Sequence, residues 1–147
     1  MKITSLTSSV LCGLLIASAA HAADPKSVIK HRQGIMEAIG GHFTAAYSSM
    51  GALPEFNENQ AYHAQSVAQL AKIAVDVFPA GSGEGKTKAK AAIWDNPDEF
   101  KVKMDEFVTK AEEFSDASTS GDMARYGAAT KALGGSCKGC HDDFKDK

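Results

Sequence analysis

Apolar residues recur along most of this chain at intervals of three, four and seven, the spacing that lines one face of an α-helix, and they do so in four separate stretches. In the first, Asp24 stands at a capping position and Pro25 at the first helical position, after which Val28, Ile35, Ile39, His42, Ala46 and Met50 repeat up to Gly51. The second starts at Asn57, with Gln60 three residues on as in a capping box, and carries Ala64, Val67, Ala71, Val75 and Phe78 until Pro79 stops it. Asp95-Asn96-Pro97 opens the third, which repeats Phe100, Met104, Phe107, Ala111, Phe114 and Ser118 and ends at Gly121. The fourth opens at Asp122 and sets Tyr126, Thr130, Leu133, Cys137, Cys140, His141 and Phe144 along one side.

Strand patterning is nearly absent, and the short Val75-Asp76-Val77-Phe78 run reads as the end of a helix. Four amphipathic segments with short connections and one longer loop predict an all-α chain, an antiparallel four-helix bundle. Core packing accounts for most of the apolar positions.

A different pattern precedes the first segment. Met1-Lys2 is a short positive stretch, Val10 to Ala20 is apolar, and Ala20-His21-Ala22 has the small-x-small form of a cleavage site, so residues 1–22 read as a secretory signal peptide and 23–147 as the mature domain. The apolar run is too short to span a bilayer. The reading implies export, periplasmic in a bacterium, and removes Cys12. Loss of 22 from 147 residues leaves 125, enough for one domain with its own core. With Lys2 gone, 15 basic residues face 18 acidic ones, a formal charge of −3 that argues against a nucleic-acid partner.

The chemistry sits at the end of the chain. Cys137-Lys138-Gly139-Cys140-His141 is a CxxCH motif, in which two thiols can each add across a haem vinyl group and the adjacent imidazole can bind the iron. A redox dithiol normally accompanies a βαβ pattern, which is missing, and a structural zinc site would need a second Cys or Cys/His pair at ligand spacing, which the sequence lacks. The reading is therefore one covalently attached haem c in the bundle core. Residues three and four apart share a helix face, so Cys137, Cys140 and His141 can address one porphyrin from the inner side of the fourth helix.

No Met or His follows His141, so any second axial ligand must come from earlier helices. Mature candidates are Met36, Met50, Met104, Met123, His31, His42 and His63. Met36 lies beside Ile35 on the apolar side of the first helix, one turn after Arg32 and Gln33, which could pair with or hydrogen-bond a propionate. Met50, Met104 and Met123 read as gap-fillers or helix-end residues, His42 as a packed histidine, and His31 and His63 as surface residues.

Ala80 to Thr87 nearly satisfies the phosphate-cradling pattern of nucleotide-binding loops, with Ala80 where the first glycine belongs. Such a loop needs a strand before it, whereas here a helix precedes it. Its glycines read instead as letting the chain pass near the haem edge, with Ser82 and Glu84 as residues that could meet a propionate.

At this point the chain resembles the class II c-type cytochromes, the cytochrome c' family. The resemblance rests on Lys30-His31-Arg32-Gln33-Gly34-Ile35-Met36, the Gly-rich loop after Phe78, Ile93-Trp94, and Cys137 to Lys145 at the end. It implies a four-helix bundle with His141 as proximal ligand, Arg32 and Gln33 near the propionates, and Met36 over the distal side. It also implies that copies often pair through the first two helices. Lys145 stands where members often have arginine, which keeps the charge and loses the planar fork. In high-spin members the distal residue crowds a vacant site open to nitric oxide or carbon monoxide. In low-spin members a methionine there binds the iron. The expectation is a five-coordinate haem protein that binds these gases or carries single electrons between redox proteins, with a Met/His-ligated carrier as the alternative. A gas-sequestering module without redox duty is an alternative of another class. No paired carboxylates or nucleophile constellation suggest hydrolytic catalysis.

Overall fold

The computed structural model describes residues 24–50 and 53–147. Residues 1–22, read from the sequence as a signal peptide, with Cys12 among them, and the expected helix stop at Gly51 lie outside the described residues. Four long helices run as α1 (Pro25–Ser48), α2 (Gln60–Ala74), α4 (Pro97–Ser118) and α5 (Met123–Phe144), with a short α3 (Ala92–Asp95) before α4 and a 3-10 helix (Pro54–Asn59) before α2. The described residues include no strand, only an isolated bridge between Ala89 and Lys145.

The helix ends follow from side-chain chemistry. The Asp24 carboxylate accepts from the Ser27 backbone N–H at 3.1 Å, and Asp122 accepts from Ala124 and Arg125 at 2.9 and 3.0 Å, satisfying donors that a helix leaves open at its start. Pro25 and Pro97 occupy the first turns of α1 and α4, where a missing N–H does no harm. Gly121 turns the chain out of α4 at φ +72, a left-handed value that favours glycine. Two boundaries differ from the sequence reading. Helix α2 stops at Ala74, so Val75 and Asp76 form a turn, and Asn57 belongs to the 3-10 helix, where its side-chain oxygen accepts from Gln60 Nε2 at 2.8 Å.

The core forms along the expected stripes. Helix α2 presents Ala64, Val67, Ala68, Ala71 and Ala74, and this small-residue face lets α1 and α4 both pack closely against it. Phe107, Phe114, Tyr126 and Leu133 fill the space between α4 and α5. Full burial of a side chain of that size contributes about 1.5–3 kcal/mol. Among the described helices none is long and apolar enough to cross a membrane.

Packing around the bundle is unequal. α1 lies on α2, α2 on α4 and α4 on α5, whereas α1 and α5 stand further apart. That looser seam positions the site.

Candidate functional site

Two contacts fix the register across the seam. A Cβ placed on Gly127 would stand 3.6 Å from Met50 Cε, and one on Gly134 would stand 3.6 Å from Phe43 Cζ. Thr130 adds a contact at the same end, its hydroxyl 3.3 Å from Met50 Sδ. Met50 and Phe43 are seven residues apart on α1, and Gly127 and Gly134 are seven apart on α5, so the helices run antiparallel in step. The next heptad step brings Met36 level with His141. Glycine lets the large α1 side chains reach α5 at the first two levels. At the third, both helices carry functional side chains.

Around this level α1 contributes half-buried Ile35, Met36 and Phe43, and α5 contributes half-buried Cys137 and Cys140. His141 is exposed, because its heptad column is the one that faces α1 where the seam is open. The sequence reading had all three motif residues on the inner side. The structure instead puts the two thiols against the core and the imidazole on the flank facing α1. Burial pushes the Cys137 thiol up, and burial with the neighbouring Cys137 pushes Cys140 up to about 11, opposed by Lys103. These thiols are therefore protonated at neutral pH. Partial burial and Lys145 hold the His141 imidazole below its ordinary value, against Asp142, which leaves a ring nitrogen free to bind metal.

The loop from Val77 to Lys90 straps the open end of the seam. On the α1 side, Arg32 is 3% exposed and donates four hydrogen bonds: Nη1 to Ser82 Oγ at 2.9 Å and the Val77 carbonyl at 3.4 Å, Nη2 to the Ser82 carbonyl at 2.9 Å and Thr87 Oγ1 at 3.0 Å. Its guanidinium lies 5.0 Å from the Phe78 ring centre and 5.9 Å from that of Trp94. Gln33 donates to the Lys86 carbonyl at 2.9 Å. On the α5 side, the Lys90 N–H donates to the Phe144 carbonyl at 3.0 Å and the Asp146 N–H to the Lys88 carbonyl at 2.8 Å, while Lys90 Nζ reaches the Asp142 carbonyl at 2.9 Å. Trp94 seals the loop's base, its Nε1 donating to the Phe78 and Pro79 carbonyls at 3.1 and 3.2 Å. Gly83 leaves room for that ring, since a Cβ there would lie 2.7 Å from Trp94 Cζ3.

Arg32 and Gln33 are thus both committed to holding the loop, a use that local sequence could not reveal because their partners lie about fifty residues away. Ser82 is buried, accepting from Arg32 and donating to the Pro79 carbonyl at 2.7 Å, whereas Glu84 is exposed on the loop. Arg32 is a buried cation whose described partners are all neutral, and burial lowers its pKa. A nearby anion would offset that cost.

Of the remaining candidates, Met104 is buried in the core, Met50 packs on Thr130, and Met123 and His31 are exposed. His63 departs from the sequence reading. It is half-buried, with its Nδ1 2.9 Å from that of His42. The nucleotide reading of the loop fails, since a turn following a helix precedes it.

Two half-buried thiols and an imidazole in CxxCH spacing, beside a seam lined by apolar side chains, fit covalent haem, and in a helical bundle they define a bundle-type c-type cytochrome. The chain belongs to the cytochrome c' family, whose profile matches residues 27–145. It is 37% identical over 126 residues to the cytochrome c' of Pararhodospirillum photometricum, covering 84% of this chain and all of that one. It is also 34% identical to the cytochrome c-556 of Agrobacterium fabrum over 148 residues, covering 100% of this chain and 98% of that one. Among solved structures, the cytochrome c' of Shewanella frigidimarina superposes with a TM-score of 0.82 at 33% identity, covering 86% of this chain and all of that one. The antiparallel four-helix bundle and one covalently attached haem c per chain follow from this membership.

Proposed function

We propose that this chain is an exported mono-haem cytochrome whose iron is held by His141 beneath a vacant position capped by Met36. It binds nitric oxide or carbon monoxide at that position and passes single electrons to redox partners. The observation that carries the reading is the register of α1 against α5, in which Met36 stands level with His141 across the open seam. When bound, the haem supplies reversible one-electron chemistry and an open coordination site.

The chain's own residues set the conditions. Cys137 and Cys140 fix the macrocycle to α5, and His141 supplies the proximal nitrogen from the flank facing α1. Met36, packed against the core, fills space over the opposite face and excludes water while a diatomic gas can still enter. Arg32 and Gln33 hold the loop against α1, and Arg32, a cation in need of an anion, is the residue to meet a propionate, with Ser82 and Glu84 on the same loop. A vacant site gains support from nitric oxide complexes solved for cytochrome c' variants of Alcaligenes xylosoxidans, similar to this chain at 27% identity and a TM-score of 0.78.

The protein acts through binding and electron exchange rather than catalysis by its side chains. Residues 1–22 act as the export signal, and the mature domain from Ala23 works in the periplasm.

Optical spectra of ferric and ferrous protein, with and without carbon monoxide, test the reading. A broad or split ferrous Soret band that sharpens on adding carbon monoxide is expected. A sharp low-spin ferrous spectrum indifferent to the gas would make Met36 an iron ligand and overturn the vacant site.

A further inference from the structure

His42 on α1 and His63 on α2 point their Nδ1 atoms at each other 2.9 Å apart, far from the haem motif in sequence and on a different helix seam. Both rings are half-buried. Tyr62 packs edge-on against each, with ring centres 5.7 Å from His42 and 5.3 Å from His63, so the two imidazoles are held from one side. His42 lines a shallow groove together with Tyr62, Gln65, Ser66, Gln69 and Leu70, and His63 meets that groove through its contact with His42. The functional reading of the haem site makes no use of this pair.

We propose that His42 and His63 form a second metal site, a two-imidazole clamp across α1 and α2 for a borderline divalent transition-metal ion, taken most tightly as Cu2+. Two imidazole nitrogens bound at about 2.0–2.1 Å and roughly 90° to one another stand about 2.9 Å apart. The Nδ1 atoms now stand 2.9 Å apart, so one ion is within reach of both rings once they rotate. A right angle between neighbouring nitrogen ligands belongs to the square or tetragonal geometry of Cu2+ and Ni2+, and Cu2+ leads the affinity order for such donors.

The rings now meet head-on, with centres 5.1 Å apart, as in an Nδ1–H to Nδ1 hydrogen bond. Loading the site therefore turns both rings about χ2, a broad and soft torsion. The shared proton passes to the free Nε2 of its own ring, so that each Nδ1 offers a lone pair and no proton is lost from a neutral pair. Groove water completes the coordination, with the side-chain oxygens of Gln65 and Gln69 within the same groove. No third His, Cys, Asp or Glu joins the pair among the described residues. The site is thus one for a labile, exchangeable ion rather than a closed structural one.

The test uses purified haem-loaded protein and Cu2+ alone, titrated against a weak competing chelator and followed by electron paramagnetic resonance. One Cu2+ per chain with hyperfine coupling from two imidazole nitrogens is expected. His42→Gln and His63→Gln should each weaken binding by about tenfold or more, a loss that disturbing even outer-shell partners can cause, and should abolish the two-nitrogen pattern. His31→Gln, on the exposed face of α1, should change neither. Helical circular dichroism and the haem spectrum confirm folding, and should His42→Gln fail to fold, His63→Gln decides alone. Native protein that takes up no Cu2+, or a His63→Gln variant that binds it as tightly as native with the same spectrum, overturns the site.

Discussion

Replacing Arg32 with methionine keeps most of the aliphatic stem and removes the guanidinium that clasps the loop. Three of the bonds lost are short, to Ser82 Oγ, the Ser82 carbonyl and Thr87 Oγ1, while the one to Val77 at 3.4 Å is long and contributes little. A hydrogen bond from a charged donor contributes about 1.5–3 kcal/mol, so the gross loss is large. Against it stands relief of the desolvation penalty, several kcal/mol for a cation that is only 3% exposed with neutral described partners. Ser82 Oγ also keeps its bond to Pro79, and water can reach part of an otherwise exposed loop. The net expectation is a loss of about 2–4 kcal/mol, dominated by the Ser82 carbonyl left without its donor, while Thr87 Oγ1 keeps the Ala89 N–H at 3.1 Å. For a domain of this size that lowers Tm by roughly 10 °C. Guanidinium denaturation of the holoprotein followed by circular dichroism measures it. Arg32→Lys, which offers a point charge instead of a fork, should recover less than half. Gln33→Ala, which removes one exposed bond, should stay within about 0.5 kcal/mol. An Arg32→Met variant as stable as native would refute the clasp.

Gly40→Ala and Gly41→Ala add a methyl group to open space on exposed turns of α1 and should each raise stability by about 0.5–1 kcal/mol, read as an increase in Tm. Gly83→Ala should do the opposite by about 1–3 kcal/mol, because its Cβ drives into the Trp94 ring; the indole fluorescence should shift with the loss. The Tyr126 hydroxyl is buried with no hydrogen-bond partner, and burial pushes its pKa up to about 12. The unfolded phenol ionises near pH 10, so folding stability holds below that pH and falls as pH rises from about 10 towards 12. A pH titration of phenolate absorbance, native minus Tyr126→Phe, should place this group's ionisation at about 12.

Much of the bundle was legible because helix signals are local. Asp24 with Pro25, Asp122, Gly121 and the three- and four-residue spacing of apolar positions each act within a turn or two. The covalent motif was legible because its chemistry is written in five consecutive residues. What escaped depends on partners distant in sequence. Arg32 reads as a propionate-facing cation until the loop folds back over it, and His63 as a surface residue until α1 brings His42 alongside. The short α3 lies in a stretch too brief to show a period. The register that sets Met36 opposite His141 was present as heptads of Met36, Phe43 and Met50 and of Gly127, Gly134 and His141. Only the contacts between the helices reveal that the two columns face each other.

The association rate of carbon monoxide with the ferrous holoprotein, measured by flash photolysis, reports on the proposed place of Met36 over the iron. If Met36 crowds the vacant face opposite His141, Met36→Ala should speed association by about tenfold or more, equivalent to removing at least about 1.4 kcal/mol of barrier. A rate that stays at the native value, with the haem attached and the bundle folded, would contradict it.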